Sequence, residues 1–140
     1  MIDAFIQVLQ PWLLLVAFGG GSLGIIWGAL PGLSTTMAMA LLISLSTGLE
    51  QSSAIVFMLG VYTGSVFGGA ISAVLINIPG TPDAVPTMIE GHKLALRGEG
   101  GLALGTAIMG SFMGNWIGII LLITFIPAIL FLALQFRSWE

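Results

Sequence analysis

The chain has 140 residues, 57% of them hydrophobic and 6% charged, with a net charge of −3, no cysteine and twenty glycines. Soluble domains carry about 25% charged residues, and six acids with three bases cannot cover a water-facing surface. An ordinary soluble globule, a disordered tail and a basic-patch nucleic-acid binder are therefore excluded, as are a disulfide framework, a thiolate metal site and a cysteine nucleophile.

Charged side chains are missing from residues 4–49, 51–82 and 100–136. Each gap is at least as long as the roughly 20 residues needed to cross the hydrocarbon of a bilayer. The start, Met1-Ile2-Asp3-Ala4, has no basic n-region, so residues 5–27 read as a retained first helix rather than a cleaved signal. In chain order, the sequence predicts a helix over 11–30 with Trp12 as an interfacial anchor, a break at Pro31-Gly32, and a short helix over 34–46. A polar connection over 47–53 and a helix over 53–76 follow. Residues 77–86 hold three prolines and a glycine and cannot form a regular helix. Residues 90–101 are the one charged loop, with a short surface helix bracketed by glycines. The last apolar region, 102–136, is predicted to be interrupted at Pro127, either as one long helix plus a partial segment or as a helical hairpin. His92, Lys93 and Arg97 place the charged loop in the cytoplasm by the positive-inside rule. The whole chain, 1–140, reads as a single all-α, polytopic membrane domain with Pro-Gly-broken helices or re-entrant hairpins.

Half of the glycines fall in three stripes spaced by four: Gly20, Gly24, Gly28 and Gly32; Gly60, Gly64 and Gly68; Gly110, Gly114 and Gly118. That spacing keeps them on one helix face, where small residues let a neighbouring backbone approach. A shift of 48 positions aligns Gly20-Gly21 with Gly68-Gly69 and Leu30-Pro31-Gly32 with Ile78-Pro79-Gly80. Corresponding Gly/Pro interruptions are the sequence pointer to a transporter binding site.

The first break runs Pro31-Gly32-Leu33-Ser34-Thr35-Thr36. Ser34 or Thr35 suits a helix N-cap, and the same hydroxyls and free N–H groups make a candidate anion site. The second break runs Asn77-Ile78-Pro79-Gly80-Thr81-Pro82-Asp83. Pro31, Gly32, Ser34, Thr35, Asn77, Pro79, Gly80 and Thr81 are the candidate substrate-binding residues, and Asn77 and Asp83 the candidate coupling-ion ligands. For Asp83 the alternative is a loop charge facing water. His92, the only histidine, reads as a solvated loop side chain, and Trp116 as packing. Enzyme chemistry fails on inventory: the spans lack zinc ligands, a serine elbow, an acid pair and a phosphate loop with lysine.

Gly28-Ala29-Leu30-Pro31-Gly32-Leu33, then Tyr62-Thr63-Gly64-Ser65-Val66-Phe67-Gly68-Gly69-Ala70-Ile71-Ser72-Ala73, then Asn77-Ile78-Pro79-Gly80-Thr81-Pro82, then Glu90-Gly91-His92-Lys93-Leu94-Ala95-Leu96-Arg97-Gly98 occur in this order. The set resembles the large permease subunit of the tripartite tricarboxylate transporters over essentially the whole chain. That family usually has Asp-Gly-Tyr-Pro where this chain has Glu90-Gly91-His92-Lys93. The resemblance implies a multi-pass component of a secondary transporter in the bacterial inner membrane. It further implies a carboxylate substrate, a sodium or proton coupling cation and no other cofactor. Its partners would be the lipid bilayer, a small membrane subunit and a periplasmic solute-binding protein, with no nucleic acid. Family members are several times longer, so the chain corresponds to about the first third and is expected to be incomplete as a transport unit. The alternative is a non-transporting structural membrane subunit or a truncated fragment.

Overall fold

The structure, a computed structural model, describes residues 9–136; the expectations for Met1 to Ala4 and for residues 5–8 of the retained first helix lie outside them. Five α-helices follow in order: α1 (Pro11–Gly28), α2 (Thr35–Ser46), α3 (Gln51–Ile76), α4 (Val85–Leu96) and α5 (Gly100–Phe136), with a 3-10 turn at Pro82–Ala84 before α4. No strand occurs among the described residues. α1, α3 and the 100–127 part of α5 are long and apolar enough to cross a membrane, whereas α2 is apolar but short. The chain is an all-α, multi-pass membrane protein.

Local sequence explains several of the boundaries. Pro11 opens α1, where its missing N–H leaves no helical bond unmade. Ser34 caps α2, its Oγ accepting the Met37 N–H at 3.2 Å. α3 starts at Gln51, two residues before the predicted start, and ends at Asn77, which takes the left-handed conformation (φ 56°, ψ 31°). α4 closes in a Schellman turn: Gly98 adopts φ 83°, the Glu99 N–H reaches Leu94 O at 2.9 Å, and the Gly98 N–H reaches Ala95 O at 3.0 Å. Pro127 lies inside α5 without ending it. The expected interruption does not form because a helix in lipid has no water to satisfy an opened backbone, so it continues past a proline.

The chain divides into two units, 1–105 and 106–140. In the first, α1 and α3 pack backbone to backbone along two of the predicted stripes. A Cβ on Gly20, Gly24 or Gly28 would collide with the backbone of Phe57, Val61 or Ser65, and one on Gly60, Gly64 or Gly68 with that of Ala17, Gly21 or Ile25. Gly32 does not extend the stripe: it turns the chain at φ +90° with open space around it. Trp12 Nε1 donates to Ser53 Oγ at 3.2 Å, tying the starts of α1 and α3 together. α2 closes over one side, where Ala38 and Leu42 meet Phe57 and Val61 in the core, with Trp27 and Met58 packed against them. In the second unit the helix carries an edge-to-face pair, Phe112 with Trp116 (6.3 Å, 72°). Its large apolar side chains from Ile108 to Phe131 are exposed, and Cβ atoms on Gly110, Gly114 and Gly118 would enter open space.

Neighbouring glycines on α1 therefore separate packing from helix propensity. Gly20→Ala, whose methyl would overlap the Phe57 carbonyl, lowers the stability of the protein in detergent by about 1–3 kcal/mol. Gly19→Ala, which meets nothing, leaves stability unchanged or raises it by up to about 1 kcal/mol. Thermal unfolding of both variants checks this, and equal losses would contradict the backbone seam.

Candidate functional site

The two breaks interrupt charge-free helices, so their polar groups must be satisfied locally or by something that enters. At the first break, the Ala29 N–H still bonds Ile25 O at 2.9 Å and the Leu30 N–H bonds Trp27 O at 3.2 Å. The chain then turns at Leu30, whose carbonyl accepts the Leu33 N–H at 3.3 Å. Pro31 and Gly32 lie exposed on this turn. Ser34 is committed to its cap. Thr35, half-buried at the first position of α2, has a buried Oγ1 with no hydrogen-bond partner, and so does the indole Nε1 of Trp27 near the end of α1.

The second break folds back against α3. The Gly80 N–H points to Gly69 O at 3.4 Å, an oxygen that also accepts the Ser72 hydroxyl at 3.1 Å. Gly80 has no room for a side chain, because a Cβ would overlap the Gly28 carbonyl at the end of α1 and approach Ser72 Oγ. Thr81 follows, only 2% exposed, with its side chain against the bare Cα of Gly69. Its carbonyl accepts the Ala84 N–H at 3.0 Å and shapes the 3-10 turn, while its Oγ1 is buried without a partner. Pro79 is half-buried. Asn77 and Asp83 are exposed, at the start of the break and in the 3-10 turn.

Gly28 and Gly80 thus bring the end of α1 into contact with the second break. Of the predicted residues, Gly80 and Thr81 join this contact, and Thr35 offers a free hydroxyl at the first break. Pro31, Gly32, Asn77 and Asp83 face outward, and Ser34 is used structurally. Sequence reasoning missed Trp27. An indole on an apolar helix reads as core, and its only signal is its position beside Gly28, the last helical member of the stripe. It also misread His92, which is half-buried and bonds the Val74 carbonyl through Nδ1 at 2.9 Å. Lys93 pairs with Glu90 at 3.0 Å on the exposed face of α4.

Three uncommitted hydrogen-bond groups, Trp27 N–H and the Thr35 and Thr81 hydroxyls, are the chemistry at the breaks. Burying such groups unpaired costs free energy, about 1–3 kcal/mol each by mutational measure, and a water, an ion or a ligand is what can repay the loss. The indole can only donate, and the helix N-terminus at Thr35 adds a partial positive charge. The arrangement favours an electron-rich ligand. No group of three metal-ligating side chains occurs among the described residues.

Residues 14–140 match the tripartite tricarboxylate transporter TctA family. A protein of Agrobacterium vitis, named as an uncharacterized 52.8 kDa protein in the TAR-I ttuC' 3' region, is 33% identical over 136 residues. That alignment takes in 97% of this chain and 27% of the relative, so the chain spans about a quarter of the relative's length. No solved structure matches the chain.

Two substitutions distinguish the spent hydroxyl from the free one. Thr81→Val keeps shape and removes an unpaired buried group, so it holds or raises stability by about 1 kcal/mol. Ser34→Ala removes a helix cap and lowers stability by about 1 kcal/mol. Melting in detergent reads both, and a large loss in Thr81→Val would show that its hydroxyl is bonded.

Proposed function

Because the chain belongs to the TctA family of tripartite tricarboxylate transporters, we propose that it forms part of the carboxylate path of a secondary transporter. The proposed assembly lies in the bacterial inner membrane and includes a small membrane subunit and a periplasmic solute-binding protein that delivers the substrate. The observation carrying this reading is the buried, unpartnered set Trp27 Nε1, Thr35 Oγ1 and Thr81 Oγ1, placed at two helix breaks in segments without a cationic side chain. Neutral N–H and O–H donors, with the helix N-terminus at Thr35 beside them, stabilise a carboxylate without the deep trap that a buried arginine would make.

Thr81 and Gly80 form the packed part of the proposed site, and Pro79 stiffens the approach to it. Thr35 and Trp27 supply donors on the first break, and Pro31 and Gly32 set the turn between them. Ser34 contributes by holding α2 in place. A sodium ion or proton coupled to the substrate would engage the second break at its exposed side. There the left-handed Asn77 ends the α3 carbonyl ladder, and Asp83 supplies the nearest acid.

The test is uptake by the full-length permease with its binding protein. Thr35→Val, Thr81→Val and Trp27→Phe each remove one hydrogen-bonding group and keep the bulk. Each is expected to lower carboxylate uptake by about tenfold with unchanged amounts of protein in the membrane. Uptake at the parental rate in all three would remove these groups from the path.

A further inference from the structure

α3 ends at Ile76 because Asn77 turns left-handed. In an uninterrupted helix the carbonyl of Val74 would accept the N–H of Ile78, but Ile78 lies beyond the break. Val74 is fully buried, so its carbonyl has no water to turn to and needs a donor from elsewhere. The donor comes from α4, eighteen positions along the chain: His92 Nδ1 lies 2.9 Å from Val74 O. A carbonyl only accepts, so Nδ1 carries the proton in this bond. The preceding residue makes the approach feasible. A Cβ on Gly91 would run into Val74 Cγ2, so only glycine lets α4 lie this close. One residue of α3 is thus gripped twice, its side chain under Gly91 and its carbonyl by His92.

The segment between these anchors is the second break. Its middle is held by Gly80 against Gly28 and by Thr81 against Gly69. Its far end is α4, and the hydrogen bond that fixes α4 to α3 is the one from His92.

We propose that His92 is a positioning residue: its Nδ1–H, donated to the Val74 carbonyl, clamps α4 onto the broken end of α3 and keeps Thr81 enclosed in the second break. The importance of this clamp for transport rests on the function proposed above; the clamp itself does not.

The chain has no cysteine, so one introduced thiol reports on one place. Thr81→Cys puts a thiol at the enclosed position, and its reaction with a membrane-permeant maleimide measures how often the break opens in the full chain in native membranes. Adding His92→Leu is expected to raise that rate at least about tenfold. His92→Asn, whose amide nitrogen stands where Nδ1 stands, restores slow labelling. His92→Gln, whose amide nitrogen stands where Nε2 stands, does not. A second reporter, Ser65→Cys, is buried in the α1–α3 seam and stays slow in every background. The proposal is overturned if His92→Leu leaves Thr81→Cys labelling unchanged, if Asn protects no better than Leu, or if Ser65→Cys accelerates in parallel. Labelling requires no transport. Fast labelling caused by His92→Leu beside normal uptake by the His92→Leu variant that keeps Thr81 would thus count against the proposed carboxylate path, while unchanged labelling would count against the clamp.

Discussion

In hydrocarbon, water offers no reward for bringing two apolar helices together, so close packing of their backbones must do it. The seam between α1 and α3 meets this demand by removing side chains from both sides: Gly20, Gly24 and Gly28 on one helix, Gly60, Gly64 and Gly68 on the other. The seam also reaches beyond the two helices it joins. Gly28 is the last residue of α1, and its carbonyl occupies the place where Gly80 would otherwise carry a side chain. The second break is therefore part of the seam, and where it lies depends on how closely α1 and α3 approach. A side chain at Gly28 would collide with the Ser65 backbone, and the Gly28 carbonyl against which Gly80 packs would have to shift with it.

Fixing a break in this way has a consequence for its polar groups. A loop free to relax would turn the Thr81 hydroxyl toward a carbonyl or toward water. Here Gly69 on one side and the Gly80 contact on the other hold Thr81 in place, and its hydroxyl stays unpaired. A rigid scaffold with unspent donors is the condition for binding without reorganisation. In the proposed site, the stability cost and the binding capacity then lie in the same atoms, the usual relation between fold and site.

Much of this is legible in the sequence. The gaps between charges give the long helices, Ser34 marks the start of α2, and the four-residue glycine spacing gives the α1–α3 seam. What was not legible depended on distant partners. Asn77 and Thr81 are both polar residues in one break, and nothing nearby in sequence says which is buried. That is decided by the missing Cβ of Gly69, which leaves the space that the Thr81 side chain fills. His92 looks solvated until Val74 is known to lack its helical donor, a fact set by the backbone angle of Asn77. Trp27 is indistinguishable from core by pattern, because the unpaired group is one nitrogen of a side chain otherwise packed against the core that α2 and α3 form. Pro127 misled for a different reason: the rule that proline ends a helix is drawn from chains whose opened backbone can turn to water.

The 48-position echo in the sequence has a structural counterpart. α1 ends at Gly28 and α3 at Ile76, 48 positions apart, and each is followed by a Pro-Gly break and a helix of twelve residues. The two copies use their glycines in opposite ways. Gly32 is needed for its backbone, at φ +90° with nothing around it, whereas Gly80 is needed for its lack of volume, and the left-handed residue of the second copy is Asn77 instead. A side chain at Gly32 would be opposed by conformation alone, and one at Gly80 by the backbone of another helix. The first break is therefore set locally, and its surroundings leave it space, while the second is set by α1, α3 and α4 together. A substitution at Gly32 would therefore strain only its own turn, whereas one at Gly80 would have to displace the end of α1 as well.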